Sequence, residues 1–487
     1  MKHLYDARPA DRVLGETPRR LKLLAAELTA LSVLIGTLYV LALSGDATSF
    51  ARLQARTTEV SATGDLYYEL DDMDAQAADA LLVGFHPTDP SMVPVAVDAA
   101  ASAAAYQHDR SAADADLALI ARNPQLTVQA EKLMDGLGDY EALIAQALYV
   151  DQGTQNEKPA APPAASLGSY TQASSLLHAK LLPASLKIAD ADSAAVDASY
   201  SGDRADATGY GYAVLGLALA TASAMMLGNR YHARRFRRRL SWLAGGAVVC
   251  LVLGFLGLAT QSHAAEDLED AKKNAYDSIN ALTRAKAVSD DANGDESRWL
   301  LEGRTPALQA SFFQNVSSVA ALPDVSSDAA SSDPQAYYSG LSSAVSAVHL
   351  DAAANSISGV QFGGYLGAES GNITFPGEGQ AAYDAAQAFN AYLQDDAAIR
   401  ADAGHGDLAA AVALDIGTRP GQSNYTFGQY MAKLAEVIQI NDTGFSSGVS
   451  AGESETDAAS WTTMLVGEAL LLMAIARSAH VRLREYQ

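Results

Sequence analysis

Residues 211–260, GYAVLGLALATASAMMLGNRYHARRFRRRLSWLAGGAVVCLVLGFLGLAT, decide the fold. An apolar run over 211–228 gives way to a loop, 229–239, with six arginines and no acid, and a second apolar run fills 240–260. Each run is near the ~20 residues a helix needs to cross a bilayer core. A loop so rich in arginine resists translocation and is expected on the cytoplasmic side.

Two more apolar runs, 23–44 and 458–476, are flanked in the same way. Lys2, Arg8, Arg12, Arg19, Arg20 and Lys22 fill the tail 1–22, and Arg477, Arg482 and Arg484 lie in 477–487. The three short segments together hold fifteen basic residues against four acids. Both termini are therefore expected in the cytoplasm, with 45–210 and 261–457 outside a cell membrane crossed four times. The first run reads as an uncleaved anchor, since Glu27 interrupts its start and no small-residue cleavage site follows before Asp46.

The two long segments keep 18 basic and 51 acidic residues. A surface so negative repels anions, which argues against nucleic acid or anionic lipid as an outside partner. Cys250, the single cysteine, falls in the third apolar run, so no disulfide staples the outer segments and each must bury its own core.

The chain reads as two copies of one plan: apolar helix, long segment, apolar helix. Asp71, Asp72, Leu81, Leu82, Gly84 and Pro87 recur as Asp290, Asp291, Leu300, Leu301, Gly303 and Pro306, all at one offset, which also carries the first apolar run onto the third. Within the repeat, Leu66, Leu70, Met73, Ala77, Ala80 and Gly84 mark one face of a helix running from about Ser44 to Val83. The repeated aspartates read as that helix's solvated face, with a cation or amine site as the alternative. Met92–Asn123, Val128–Val150 and a run from Leu167 read as its partners, with a Pro/Ala-rich linker near Asn156–Ser166. The expected fold is all-α: four transmembrane helices carrying two extracytoplasmic antiparallel helical bundles related by internal duplication. In the second segment, Gln261–Leu301 and Thr426–Ile440 read as helices. The glycine-rich insertion Ile357–Glu378 reads as loop or a small hairpin, either a tolerated surface insertion or a partner contact.

No enzyme chemistry is visible. Nine histidines are scattered without metal-ligand spacing, and no phosphate-binding loop or zinc-protease motif occurs, so no catalytic residue, metal or cofactor is assigned. Gly444-Phe445-Ser446-Ser447-Gly448 matches G-x-S-x-G, but a polar linker rather than a strand-to-helix elbow is expected around it.

Three features stand out as candidate functional positions. Glu468 lies near the middle of an apolar run, where an ionisable group is costly and should face the other helices, either as a structural hydrogen bonder or in a signalling or proton role. Arg230, Arg234, Arg235, Arg237, Arg238 and Arg239 offer an inner contact for anionic headgroups or a soluble partner. Pro183, inside an otherwise helical run, is either a hinge or a first-turn proline of a new helix. Small residues at four-residue spacing, Gly216, Ala220, Ala224 and Gly228, then Gly246, Cys250 and Gly254, allow close helix packing in the membrane.

The run LYDARPADRVLGETPRRLKLL from Leu4, together with Leu167–Ile188 and its Leu181-Leu182-Pro183, resembles an actinobacterial family of four-pass membrane proteins, the GlnX-type signal transducers. The resemblance implies coupling of an extracytoplasmic amino-acid-binding lipoprotein to a cytosolic serine/threonine kinase, and it transfers no functional residue. The resulting expectation is a non-enzymatic signal transducer whose output is recruited. The rival is a structural envelope scaffold or accessory subunit that does not switch. Ligand and oligomeric state are not written in the sequence.

Overall fold

The computed structural model describes residues 9–83, 99–155, 162–237, 239–455 and 458–484. Helices α1 (Pro9–Leu82), α2 (Ala99–Ile120), α3 (Thr127–Gln155) and α4 (Ala164–Leu176) are followed by α5 (Leu182–Phe236), α6 (Ser241–Glu269) and α7 (Asp277–Leu301). Next come α8 (Pro306–Val319), α9 (Ser327–Ser332), α10 (Pro334–Ser346) and an antiparallel hairpin of β1 (His349–Asp351) and β2 (Ser356–Ser358). The chain closes with α11 (Gly364–Ser370), α12 (Glu378–His405), α13 (Leu408–Asp415), α14 (Ser423–Glu455) and α15 (Ala458–Leu483). Gly84, Pro87 and the expected helix start at Met92 lie outside the described residues, as does most of the Pro/Ala-rich linker.

The chain divides into two compact units. The apolar unit gathers the residues up to Gln54, Asp197–Ala271 and those from Ser446 onward. The helical runs Arg19–Ala55, Ala164–Arg234, Ser241–Leu301 and Ser423–Leu483 each contain a stretch long and apolar enough to cross a membrane. Leu28, Ile35, Ala222, Met225, Cys250 and Leu471 form the core of this unit, while Val33, Leu219, Val252, Phe255 and Val466 are exposed, as lipid-facing side chains would be. Packing is close around α6. A Cβ added at Gly254 would lie 2.6 Å from Ala218, one at Gly257 would lie 2.8 Å from the Tyr39 ring, and one at Gly467 of α15 would lie 2.4 Å from Leu253. The expected small-residue stripe holds on α6, where Gly246, Cys250 and Gly254 are buried. On α5 it holds only in part: Ala224 packs on the core and Gly228 lies close to Leu24, but Gly216 and Ala220 are exposed, and Ala218 and Ala222 pack inside instead. Small size permits contact on either face, and the face chosen here is the one that fits the glycines of α6.

The larger unit comprises Ala55–Val196 and Lys272–Phe445. Its first segment buries a four-helix core from Leu66, Leu70 and Met73 of α1, Leu117 of α2, Tyr140 and Ile144 of α3, and Tyr170 and Leu177. The same core also takes Trp299, Leu300 and Leu301 of α7, Ile399 of α12 and Val412 of α13. The two segments read from sequence as separate bundles therefore share one unit, because the end of α7 closes a core that the first four helices leave open. A second core, with Phe312, Phe313, Tyr337, Phe389 and Tyr430, belongs to the second segment. That segment holds more helices than the repeat predicts.

The insertion at 357–378 contains part of the small hairpin and α11. It is stapled at its base. Asn355, at φ 48°, donates from its side chain to Phe375 O (2.7 Å) and accepts from the N–H groups of Gly377 and Gly379 (3.1 Å each). Glu378 accepts from Phe375 N (2.8 Å) and Asn441 Nδ2 (2.7 Å). Gly444–Gly448 lies within α14, so neither an elbow nor the expected linker forms there.

Candidate functional site

Of the repeated aspartates, Asp71 and Asp290 are buried and Asp72 and Asp291 half-buried, and further acids of the same helices are buried with them. Asp71, Asp74 and Asp79 of α1 and Asp290 and Asp295 of α7 are each at most 5% exposed. A one-sided stripe predicts a wet opposite face, but α7 occupies the face of α1 that a lone four-helix bundle would leave open. Eighteen residues of α7 are buried, most of its length, so polar side chains that read as surface become an internal network.

Arg298 is the centre of that network at 3% exposure. Its Nη1 donates to Asp74 Oδ2 (3.2 Å), and its Nη2 donates to Asp291 Oδ1 (2.9 Å) and Asp295 Oδ1 (2.8 Å). Asp74 also accepts from Tyr140 OH (3.1 Å), Tyr170 OH (3.2 Å) and Ser174 Oγ (2.8 Å). This carboxylate is fully supplied with donors, as a buried charge requires. Asp79 accepts from Ser297 Oγ (2.9 Å) and Asn424 Nδ2 (2.7 Å), tying α1 to α7 and α14.

Asp71 and Asp290 differ. Neither has a hydrogen-bond partner for either carboxylate oxygen. Burial, then Asp291 and Asp290, push the Asp71 carboxyl well above the usual carboxylate range, and burial followed by Asp72 does the same for Asp290. Burial raises Asp295 to about 7 against the pull of Arg298, and raises Asp79 to about 6.

His178 sits in a π-helical turn, Leu177–Leu181, between α4 and α5, where Leu182 N–H bonds to Leu177 O. Its Nε2 lies 3.4 Å from Asp74 Oδ2 and 4.0 Å from Asp71 Oδ1, and its Nδ1 lies 3.7 Å from Asp291 Oδ1. Burial and then Arg298 lower its pKa, which favours the neutral ring. Beside it opens a cavity of about 250 Å³ lined by Ser174, His178, Asp295, Arg298 and Glu302. π-turns inside α-helices concentrate at functional positions, and this one carries the only imidazole that touches the network among the described residues.

Pro183 is the second residue of α5, immediately after the π-turn. A proline ring in a regular helix collides with the carbonyl four residues back, and a widened turn relieves that collision, so the helix re-forms without a break. Glu468 points at α1: its Oε1 accepts from Ser32 Oγ (2.7 Å), and a methyl group at Gly36 would sit 3.5 Å from its carboxyl. The loop between α5 and α6 is pinned by Leu240 N donating to Asn229 Oδ1 (2.8 Å), with Arg237 at φ 51°. Arg230, Arg234, Arg237 and Arg239 are exposed; Arg238 lies outside the described residues, and the Arg235 side chain is not described. These positions and the acidic network do not converge on one site.

Sequence reasoning named the aspartates and misjudged their setting, and it missed Arg298 and His178. The available signal was Arg298 itself, an arginine that follows Asp290, Asp291, Asp295 and Glu296 within one short stretch.

Residues 49–201 match the actinobacterial sensor domain family. The matched span nearly coincides with the first segment of the larger unit and supplies Asp71, Asp74 and His178, whereas Asp291 and Arg298 come from outside it. The match supports an actinobacterial sensor protein with a role in sensing and signal transduction. No curated protein and no solved structure matches the chain.

Proposed function

We propose that this chain is a four-pass, non-enzymatic signal transducer, with both termini and the arginine loop in the cytoplasm and the larger unit outside. The observation that carries the reading is the sensor-domain match over 49–201. The one-sided distribution of basic residues supports the orientation. The input is an extracytoplasmic binding protein, in the GlnX-type reading an amino-acid-binding lipoprotein, and the output is a recruited cytosolic partner such as a serine/threonine kinase. The arginine loop and the two tails are the inner surfaces available to it.

The test starts from topology. In a Cys250→Ala background, cysteines replacing Ala165 or Ser332 should react with impermeant maleimide in intact cells, and one replacing Arg234 should not. Crosslinked capture from membranes should then recover a binding protein from the outer face and a kinase from the inner face, with kinase recovery changing when the input ligand is added. Labelling of the Arg234→Cys protein from outside refutes the orientation. Capture of envelope proteins alone, unchanged by any stimulus, favours the scaffold.

A further inference from the structure

We propose that Asp71, His178 and Asp291 form a binding site for one divalent transition-metal ion of the Zn²⁺ type. One donor atom from each lies within 4.8 Å of the other two, brought together from α1, the π-turn and α7. Ligands about 2.1 Å from a shared metal stand about 3.0–3.4 Å apart; His178 Nδ1 is 3.7 Å from Asp291 Oδ1 and the three donor atoms lie within 4.8 Å of one another, so ligation needs inward shifts of about 0.5 to 1.5 Å.

Geometry is joined by an independent observation. Asp71 is 1% exposed, both its oxygens lack a hydrogen-bond partner, and its donor atom lies within 4.8 Å of those of His178 and Asp291. Leaving a buried carboxylate without a donor is costly. Arg298 does not remove that cost, because its donated hydrogen bonds go to Asp74, Asp291 and Asp295. A cation between Asp71 and Asp291 does.

The surroundings resemble those of a metal-bound histidine. Metal-bound imidazoles commonly give their second nitrogen to a carboxylate, which fixes the tautomer. Asp74 Oδ2 occupies that position 3.4 Å from Nε2, itself held by Tyr140, Tyr170 and Ser174. Nδ1 is then free for the ion on the Asp291 side. One imidazole with two carboxylates favours Zn²⁺ or Mn²⁺ over Ca²⁺ and Mg²⁺, which prefer oxygen-only shells. The adjoining cavity of about 250 Å³ gives access and holds water to complete the coordination. This site stands apart from the signalling reading, and its failure leaves that reading intact.

The test uses the full chain in lipid nanodiscs, stripped of metal and dialysed against Zn²⁺. Wild type should bind one equivalent with a matching rise in thermal stability. Asp71→Asn, His178→Gln and Asp291→Asn should each weaken binding at least about tenfold, while Asp328→Asn, at an exposed position far from the network, should not. Unfolding in EDTA guards against misfolding, since Asp71→Asn removes an unpaired carboxyl and should melt no lower than wild type. Mn²⁺ should compete and Mg²⁺ should not. Binding below half an equivalent, or undiminished binding by the Asp71→Asn/His178→Gln double variant, overturns the site.

Discussion

Arg298→Met tests whether one guanidinium holds the larger unit together. The substitution keeps an unbranched side chain that helices tolerate, and it strips the counter-charge from Asp74, Asp291 and Asp295, of which Asp74 and Asp295 are each 1% exposed. Removing one partner from a buried ion pair costs about 3–5 kcal/mol, because the charge left behind is uncompensated. For a unit of this size that is roughly 2 °C of melting temperature per kcal/mol, hence a fall of about 6–10 °C. The loss should depend on pH. Asp295 already sits at about 7, above its ordinary value, and loss of the arginine raises it further. A carboxyl raised in the folded state leaves stability intact below its unfolded pKa and erodes it from there up to the folded one, so raising Asp295 further adds loss only above about 7, and the deficit should be small near pH 5 and larger at pH 8. Arg298→Lys keeps a charge but cannot reach three carboxylates at once, and should fall between. The assay is thermal unfolding of the full chain in nanodiscs with EDTA, followed by a signal from the larger unit. A melting temperature within 2 °C of wild type at pH 8, or a deficit that grows towards pH 5, refutes the reasoning.

Other substitutions probe separate parts. Glu369 is raised to about 8 by burial and then by Glu378, so wild-type stability should fall by about 1.4 kcal/mol per pH unit between roughly 5 and 8 from this group alone; Glu369→Gln should remove that slope and exceed wild type at pH 8.5, and parallel pH profiles would discount it. Gly254→Leu forces a side chain into Ala218 and should loosen the apolar unit, read as faster protease nicking in detergent, whereas Gly216→Leu, on an open face, should not. Glu468→Gln keeps the hydrogen bond to Ser32 and should assemble normally, while Glu468→Leu should not; equal assembly of the two would show that the Ser32 contact contributes nothing.

Hydropathy and arginine placement made the apolar helices legible, and the stripe of Leu66, Leu70 and Met73 located the core face of α1, because both signals are local. The burial of Asp71 and Asp290 was not legible, since it depends on α7 covering α1 across more than two hundred residues of chain. The same limit applies to α5, where spacing nominated Gly216 and Ala220 while the partner helix selected Ala218 and Ala222. His178 was one of nine histidines until the fold set it among three aspartates. The four repeated pairs that fall in α1 and α7 were visible as a pattern, but a pattern does not say whether its two copies face water or each other.

The glycines of α6 have a mechanical consequence. Through Gly254 this helix lies against Ala218 of α5, through Gly257 against Tyr39 of α1, and Leu253 seats over Gly467 of α15. Sliding α6 by a single residue, about 1.5 Å, would move these notches out of line with all three neighbours and drive larger side chains against backbone. A piston stroke of α6 alone is thereby blocked. Displacement within this bundle has to be shared, with α6 acting as a keyed axle around which the other helices tilt or turn together.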